Sequence, residues 1–168
     1  MKIRLEYYSY RFAEQVINSK LSLKKEIEDI LLDPSIDVST LNRPYFNEAL
    51  DTLFINKDWE KQPQVFENTS DPSARLDFLK SKIGVEVQFG HSSFIGIDLL
   101  KFQVASYSHL DKIDLGVYIV TTKNFQKIIK KEYNHTWEGS LTFEKVINYL
   151  PHFKSAIQIP IYVIGLDL

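Results

Sequence analysis

Apolar and polar positions alternate with period two along Val85-Glu-Val-Gln-Phe89, so Val85, Val87 and Phe89 point to one side of a strand and Glu86 and Gln88 to the other. One face packs and the other is free for chemistry. Residues 76–80 predict a preceding strand and Ser81-Lys82 a turn, a register that sets Asp77 directly opposite Glu86, with Cβ atoms about 4.5–5.5 Å apart. Elsewhere the period is helical. Leu23, Ile27, Ile30 and Leu31 predict a helix over residues 23–32 behind a Ser22 cap, and Tyr45, Phe46, Ala49, Leu50, Leu53 and Phe54 a second one starting near Pro44. Residues 62–73, with two prolines and Asn68-Thr-Ser, read as a loop. Gly90-His91-Ser92-Ser93 opens a helix over residues 94–107, with Ser92 or Ser93 as the cap. Residues 113–121 form a buried strand, 124–131 a lysine-rich helix, 132–140 a loop, 141–150 a helix and 156–165 a last strand. This order predicts an α/β protein: one domain over residues 1–168, with a central mixed β-sheet flanked by helices.

Two facing carboxylates repel, and stability alone would not select them. A divalent cation removes the objection, because Mg²⁺ is commonly held by one or two carboxylates with waters and phosphate oxygens completing its shell. Asp77 and Glu86 supply that minimum, and the backbone carbonyl of Val87 is a candidate third ligand. Gln88 would stand beside the metal to orient the attacking water or a phosphate oxygen; an amide is no strong base, so proton removal falls to metal-bound water or the substrate. From spacing alone, the same residues also suit the polar face of a half-exposed hairpin.

The arrangement of Asp77, nine steps on to Glu86, then x-Gln88, resembles the BglII/BstYI family of type II restriction endonucleases, a branch of the PD-(D/E)XK nucleases in which glutamine replaces the usual lysine. The likeness continues through residues 85–94, Asp98-Leu-Leu, Asp111-Lys-Ile-Asp-Leu-Gly-Val117, Glu138-Gly139 and Pro160-Ile-Tyr-Val-Ile-Gly-Leu166. Upstream, Trp59 keeps the family's separation from the aspartate. The resemblance implies a restriction-endonuclease-like fold, a Mg²⁺ cofactor, double-stranded DNA as substrate, a homodimer and a palindromic target containing GATC. The chain is shorter than those relatives, which implies that their dimer-extending or DNA-encircling segments are reduced.

Sequence reading by such enzymes comes from loops beside the site. His91 and Ser92, directly after the strand, are candidate base-contacting residues, with Asn134 and His135 in a second loop. An exposed helix start and ordinary loop residues are the alternatives. His91 differs from the residue of the relatives, which puts the flanking base pairs in question. Lys123, Lys127, Lys130 and Lys131 share one helical face that suits phosphate contact, notably Lys123 and Lys127, or simply solvation.

Composition sets bounds rather than a function. With 44% hydrophobic residues in 168 there is ample core, and with no cysteine there are no disulfides or thiolate sites. The net charge of −2 is unusual for a DNA partner, but residues 1–60 carry eleven acidic and eight basic side chains, so the excess lies away from the candidate site. No phosphate-binding glycine loop occurs, so no nucleotide cofactor is expected. No apolar leader or membrane span is evident, and a cytoplasmic location is expected. His109 and His152 show no metal-ligand spacing and read as structural. A structure-specific or nicking nuclease on the same core, and a catalytically inactive DNA-binding subunit, remain the other readings.

Overall fold

The computed structural model describes residues 1–40, 42–67, 69–107 and 111–168; His109 and Asn68 therefore lie outside the described residues. Six strands form one sheet: β1 (Arg4–Tyr10), β2 (Glu60–Lys61), β3 (Phe78–Lys80), β4 (Ile83–Val87), β5 (Leu115–Thr121) and β6 (Ile161–Asp167). Their order is β1-β6-β5-β4-β3-β2, with β4, β5 and β6 parallel to one another and the remaining pairs antiparallel. The sheet is mixed, as predicted.

Parallel neighbours require crossovers, and helices supply them on both faces. Helices α1 (Ala13–Asn18), α2 (Leu21–Leu31), α3 (Arg43–Ile55) and α5 (Lys123–Tyr133) bury Ile17, Ile27, Phe46, Leu50, Phe54 and Phe125 against one face, which presents Val85, Val117 and Ile164. Helices α4 (Ile95–Tyr107) and α6 (Phe143–Tyr149) bury Leu99, Phe102 and Val146 against the other, which presents Tyr118, Val120 and Val163. Gly116 sets how closely α4 approaches, since a Cβ there would lie 2.8 Å from the Phe102 ring. Gly165 gives Phe143 of α6 the same clearance.

Local differences from the sequence expectations have physical causes. Ser22 lies inside α2, which begins at Leu21 with no side-chain cap, so the cap expected there is absent. Asn42 is the side-chain cap of α3, accepting from Tyr45 N, and Pro44 occupies its first turn. The expected loop at residues 62–73 is tied down by a Gln64↔Arg75 bridge and a 3₁₀ turn at Pro72–Ala74. The β1 and β2 edges and α1 were not anticipated, for β1 is half-exposed and β2 has two residues. His152 is exposed in a 3₁₀ turn.

Candidate active site

The β3–β4 hairpin turns on Ser81 and Lys82, both with positive φ (47° and 64°), a two-residue turn that glycine or asparagine usually makes. Lys82 ion-pairs with Asp111 and Ser81 O accepts from Lys20, which hold the turn. Phe78↔Val85, Leu79↔Gly84 and Lys80↔Ile83 follow, the register predicted from the sequence. Continued by one residue, it brings Asp77 opposite Glu86. Asp77 itself lies just outside β3: its N–H donates to Val85 O at 3.2 Å and its carboxylate accepts from Val87 N at 2.7 Å.

Alternation along β4 works as expected, with Val85 and Phe89 buried in the α3 face and Glu86 turned under α4. The difference is that this second face is also covered. Glu86 is 3% exposed and meets Lys101 Nζ of α4 at 2.7 Å, an ion pair without hydrogen-bond alignment that leaves Oε1 unsatisfied. Asp98, one turn earlier on α4, reaches Lys101 with Oδ1 (3.2 Å) and accepts from Tyr118 OH and Gln88 Nε2 with Oδ2, both at 2.7 Å. Gln88 Oε1 accepts from Gly90 N at 2.8 Å. Gln88 is thus held at both ends of its amide.

This environment resists negative charge. Burial pushes the Asp77 carboxyl up to about 6, against the pull of Val87 N–H and the Lys101 ammonium, with Asp98 and Asp51 adding to the rise. Burial first, and Asp77 second, raise Glu86 well above the carboxylate range, while Lys101 pulls it back. Burial also disfavours charge on Lys101, yet Glu86 and Asp98 outweigh it and hold the ammonium above its usual range.

Asp77 and Val87 open onto a polar cleft of about 180 Å³ whose other walls are Asn47, Leu50, Asp51, Lys61 and Gln62. Asp51 ion-pairs with Lys61 at 2.7 Å. Sequence reasoning named none of these four polar residues, because Asn47 and Asp51 look like the solvent side of an amphipathic helix.

At the end of β4, His91 caps the 3₁₀ turn Ser92–Phe94, accepting from Ser93 N on Nδ1, so the cap is the histidine rather than a serine. His91 pairs with Ser140, Ser92 N donates to Gly139 O, and Lys145 Nζ donates to Ser92 Oγ at 3.0 Å. Arg43 donates to Phe89 O and Ser140 Oγ, fastening α3 to the same strap. The His91–Ser92 turn and the loop after α5 therefore meet. Asn134 ends α5 in the left-handed conformation (φ 56°), where asparagine is favoured, and His135 N bonds back to Ile129 O. Lys123 and Lys127 are exposed on α5, and no contact among the described residues joins them to Asp77 or Glu86. Lys130 and Lys131 pair with Glu138 and Glu132.

The same assembly of sheet, hairpin and covering helices is found in known nucleases. The family model for restriction endonuclease BglII/BglIII matches residues 5–166. The chain belongs to the BglII/BglIII restriction endonuclease family. It is a site-specific deoxyribonuclease of that family. Its fold is that of BglII, solved as a complex with a DNA 16-mer: the TM-score is 0.74 at 20% identity, covering 98% of this chain and 77% of that one. Comparison with curated proteins gave no match. Like the sheet of the BglII fold, the sheet here is flanked by helices, and among the described residues no helix is long and apolar enough to cross a membrane.

Proposed function

We propose that this chain is a homodimeric, Mg²⁺-dependent type II restriction endonuclease of the PD-(D/E)XK superfamily in its Glu-x-Gln form, cutting both strands of a short palindromic duplex site that contains GATC. One domain over residues 1–168 carries the activity, and its setting is the cytoplasm. The observation that carries this reading is a pair of carboxylates, Asp77 and Glu86, placed together against their own repulsion, with Asp77 opening onto a polar cleft.

The residues fit a divalent cation. Asp77, Glu86 and Asp98 bring three negative charges and Lys101 one positive, so two positive charges neutralise the cluster when all are ionised. Among the described residues no three His, Asp or Glu side chains are gathered to hold a metal, so water and phosphate oxygens would have to complete the shell of a cation held there. Asp77, Glu86 and the Val87 carbonyl would hold it. Bound there, the cation would acidify water and offset charge developing on the phosphate. The chain's own residues do the rest. Val87 N–H orients the Asp77 carboxylate, the Gln88 amide stands fixed beside Glu86, and the apolar core behind β4 excludes water from that side.

A two-fold dimer matches the two-fold axis of a palindrome and presents one such site to each strand. Exposed Phe94, Leu100 and Tyr107 on and beside α4, with Tyr149 at the end of α6, supply apolar surface suited to a second copy. His91, Ser92, Asn134 and His135, together with Lys145, would approach base edges, and Lys123 and Lys127 phosphates.

The test is incubation of the purified protein with unmethylated plasmid or phage DNA, in Mg²⁺ or in EDTA, followed by sequencing of fragment ends. Discrete Mg²⁺-dependent fragments sharing one GATC-containing end sequence are expected. Random nicks would favour a structure-specific nuclease, and binding without cleavage an inactive DNA-binding subunit.

A further inference from the structure

Lys101 is 5% exposed, a degree of burial that lysine tolerates only when its charge is matched. Its ammonium meets three oxygens: Glu86 Oε1 at 2.7 Å, Asp98 Oδ1 at 3.2 Å and the Arg75 carbonyl at 3.1 Å. The carbonyl contact is a hydrogen bond, and the two carboxylate contacts are ion pairs. Asp98 stands three residues before Lys101 on the same face of α4 and spends its other oxygen on Gln88 Nε2 and Tyr118 OH. Glu86 of β4 and Gln88, the residue just after it, are consequently gripped by one Asp98–Lys101 pair. A buried ionic group of this kind is weak support for folding, since apolar residues of similar volume often stabilise as well or better. Its place directly against Glu86 points to geometry for the reaction.

We propose that Lys101 and Asp98 are positioning residues for DNA hydrolysis: Lys101 fixes the Glu86 carboxylate, and Asp98 joins that contact to the Gln88 amide, so that α4 sets Glu86 and Gln88 as one unit. The proposal rests on the nuclease reading above. Neither side chain touches DNA; each acts through Glu86 or Gln88. Tyr118 closes the array from β5, donating to Asp98 and leaving it no freedom to turn away.

Lys101→Met removes the charge and keeps much of the volume, and Asp98→Asn keeps the shape but turns one acceptor into a donor. Each is expected to lower kcat by about 10–100-fold, with KM for DNA changed by less than about threefold, because uniform binding is untouched while orientation is lost. Lys101→Arg should recover part of the activity lost in Lys101→Met. Independently of cleavage, the Gln88 side-chain amide signals in a ¹H–¹⁵N spectrum, assigned by their loss in Gln88→Leu, should shift in both Asp98→Asn and Lys101→Met. A kcat near that of the unaltered protein in either variant overturns the proposal, as does a Gln88 signal that stays in place. Should Lys101→Met fail to fold, Asp98→Asn decides alone by the same two readouts. An unaltered protein that cuts no DNA refutes the nuclease reading, and the Gln88 signal then still decides whether the α4 grip exists.

Discussion

Asp167 and the Asp77–Glu86 pair are both withdrawn from water, and the fold treats them in opposite ways. Asp167 Oδ1 accepts from Thr122 Oγ1 at 2.6 Å and Asn124 Nδ2 at 3.0 Å, and Oδ2 from Arg4 at 3.0 Å. Burial would raise its carboxyl, but those donors outweigh burial and hold it below the usual range. Asp77 has one backbone N–H and Glu86 one misaligned ammonium, so burial wins and both are raised. A carboxylate that ties strands together is saturated with donors; one built to receive something from outside is left short of them.

The sharpest way to break that contrast is substitution of the undersupplied pair. Asp77→Asn and Glu86→Gln should each reduce Mg²⁺-dependent cleavage on the order of 10³-fold or more. The metal-free Asp77→Asn protein should nevertheless be more stable than the unaltered one at pH 7.5, by about 1–2 kcal/mol, because the charge that burial opposes is gone. Cleavage assays and thermal melts on the same preparations check both. A variant that lost stability and kept activity would place these acids with Asp167.

Divalent cation should act next most strongly. At about 100 times its dissociation constant, Mg²⁺ should stabilise the protein by about 2.7 kcal/mol at pH 7.5, and EDTA should reverse this. The sign with pH follows from Asp77. Its folded value of about 6 lies above the ordinary aspartate value of 3.8, so its contribution to metal-free stability is full below about 4 and is lost as pH rises through 6. Protons compete with the cation over that same window, and the gain from Mg²⁺ should therefore shrink at pH 5. Asp167 runs the other way, contributing above its unfolded value and losing that contribution as pH falls through its lowered one. Melts at both pH values, with and without Mg²⁺, separate the two behaviours.

The same contrast explains what was legible in the amino-acid sequence. Asp77, Glu86 and Gln88 stand out because they interrupt an alternating strand, and a two-residue turn fixes their register, so local rules suffice. Lys101 does not stand out and Asp98 does so only through the family likeness: by local pattern, in Asp98-Leu-Leu-Lys-Phe102 they read as the polar side of an amphipathic helix. Only the β4–α4–β5 crossover, closed by contact of Phe102 on Gly116, lays that side over Glu86. Asn47 and Asp51 were hidden for the same reason on α3. The β1 edge escaped notice because its strand is half-exposed and borrows its register from β6, which lies more than 150 residues away.

Asp167→Ala should come third, costing about 2 kcal/mol by stranding the Thr122 and Asn124 donors, while cleavage per folded molecule stays within about threefold. Arg4 is largely exposed and adds little to that loss. Denaturant titration gives the first quantity, and active-site titration with the cleavage rate gives the second. A collapse of kcat in this variant would mean that the saturated carboxylate also serves the reaction.

The smallest effects belong to the exposed lysines, which extend the contrast from acids to bases. Lys101 is buried, matched by three oxygens and tied to Glu86; Lys123 and Lys127 stand on the open face of α5 with no ion pair among the described contacts. Water already solvates such ammonium groups, so a phosphate contact gains mainly the release of condensed counterions. Lys123→Ala and Lys127→Ala should therefore each weaken DNA binding by only about threefold at low salt and reduce the salt slope by about one, without altering sequence preference. At saturating DNA their kcat should equal that of the unaltered protein. Binding isotherms at several salt concentrations, paired with single-turnover rates, measure both quantities. A fall in kcat as large as that of Lys101→Met would show that burial and pairing do not separate the lysines that organise the site from those that merely attract its substrate.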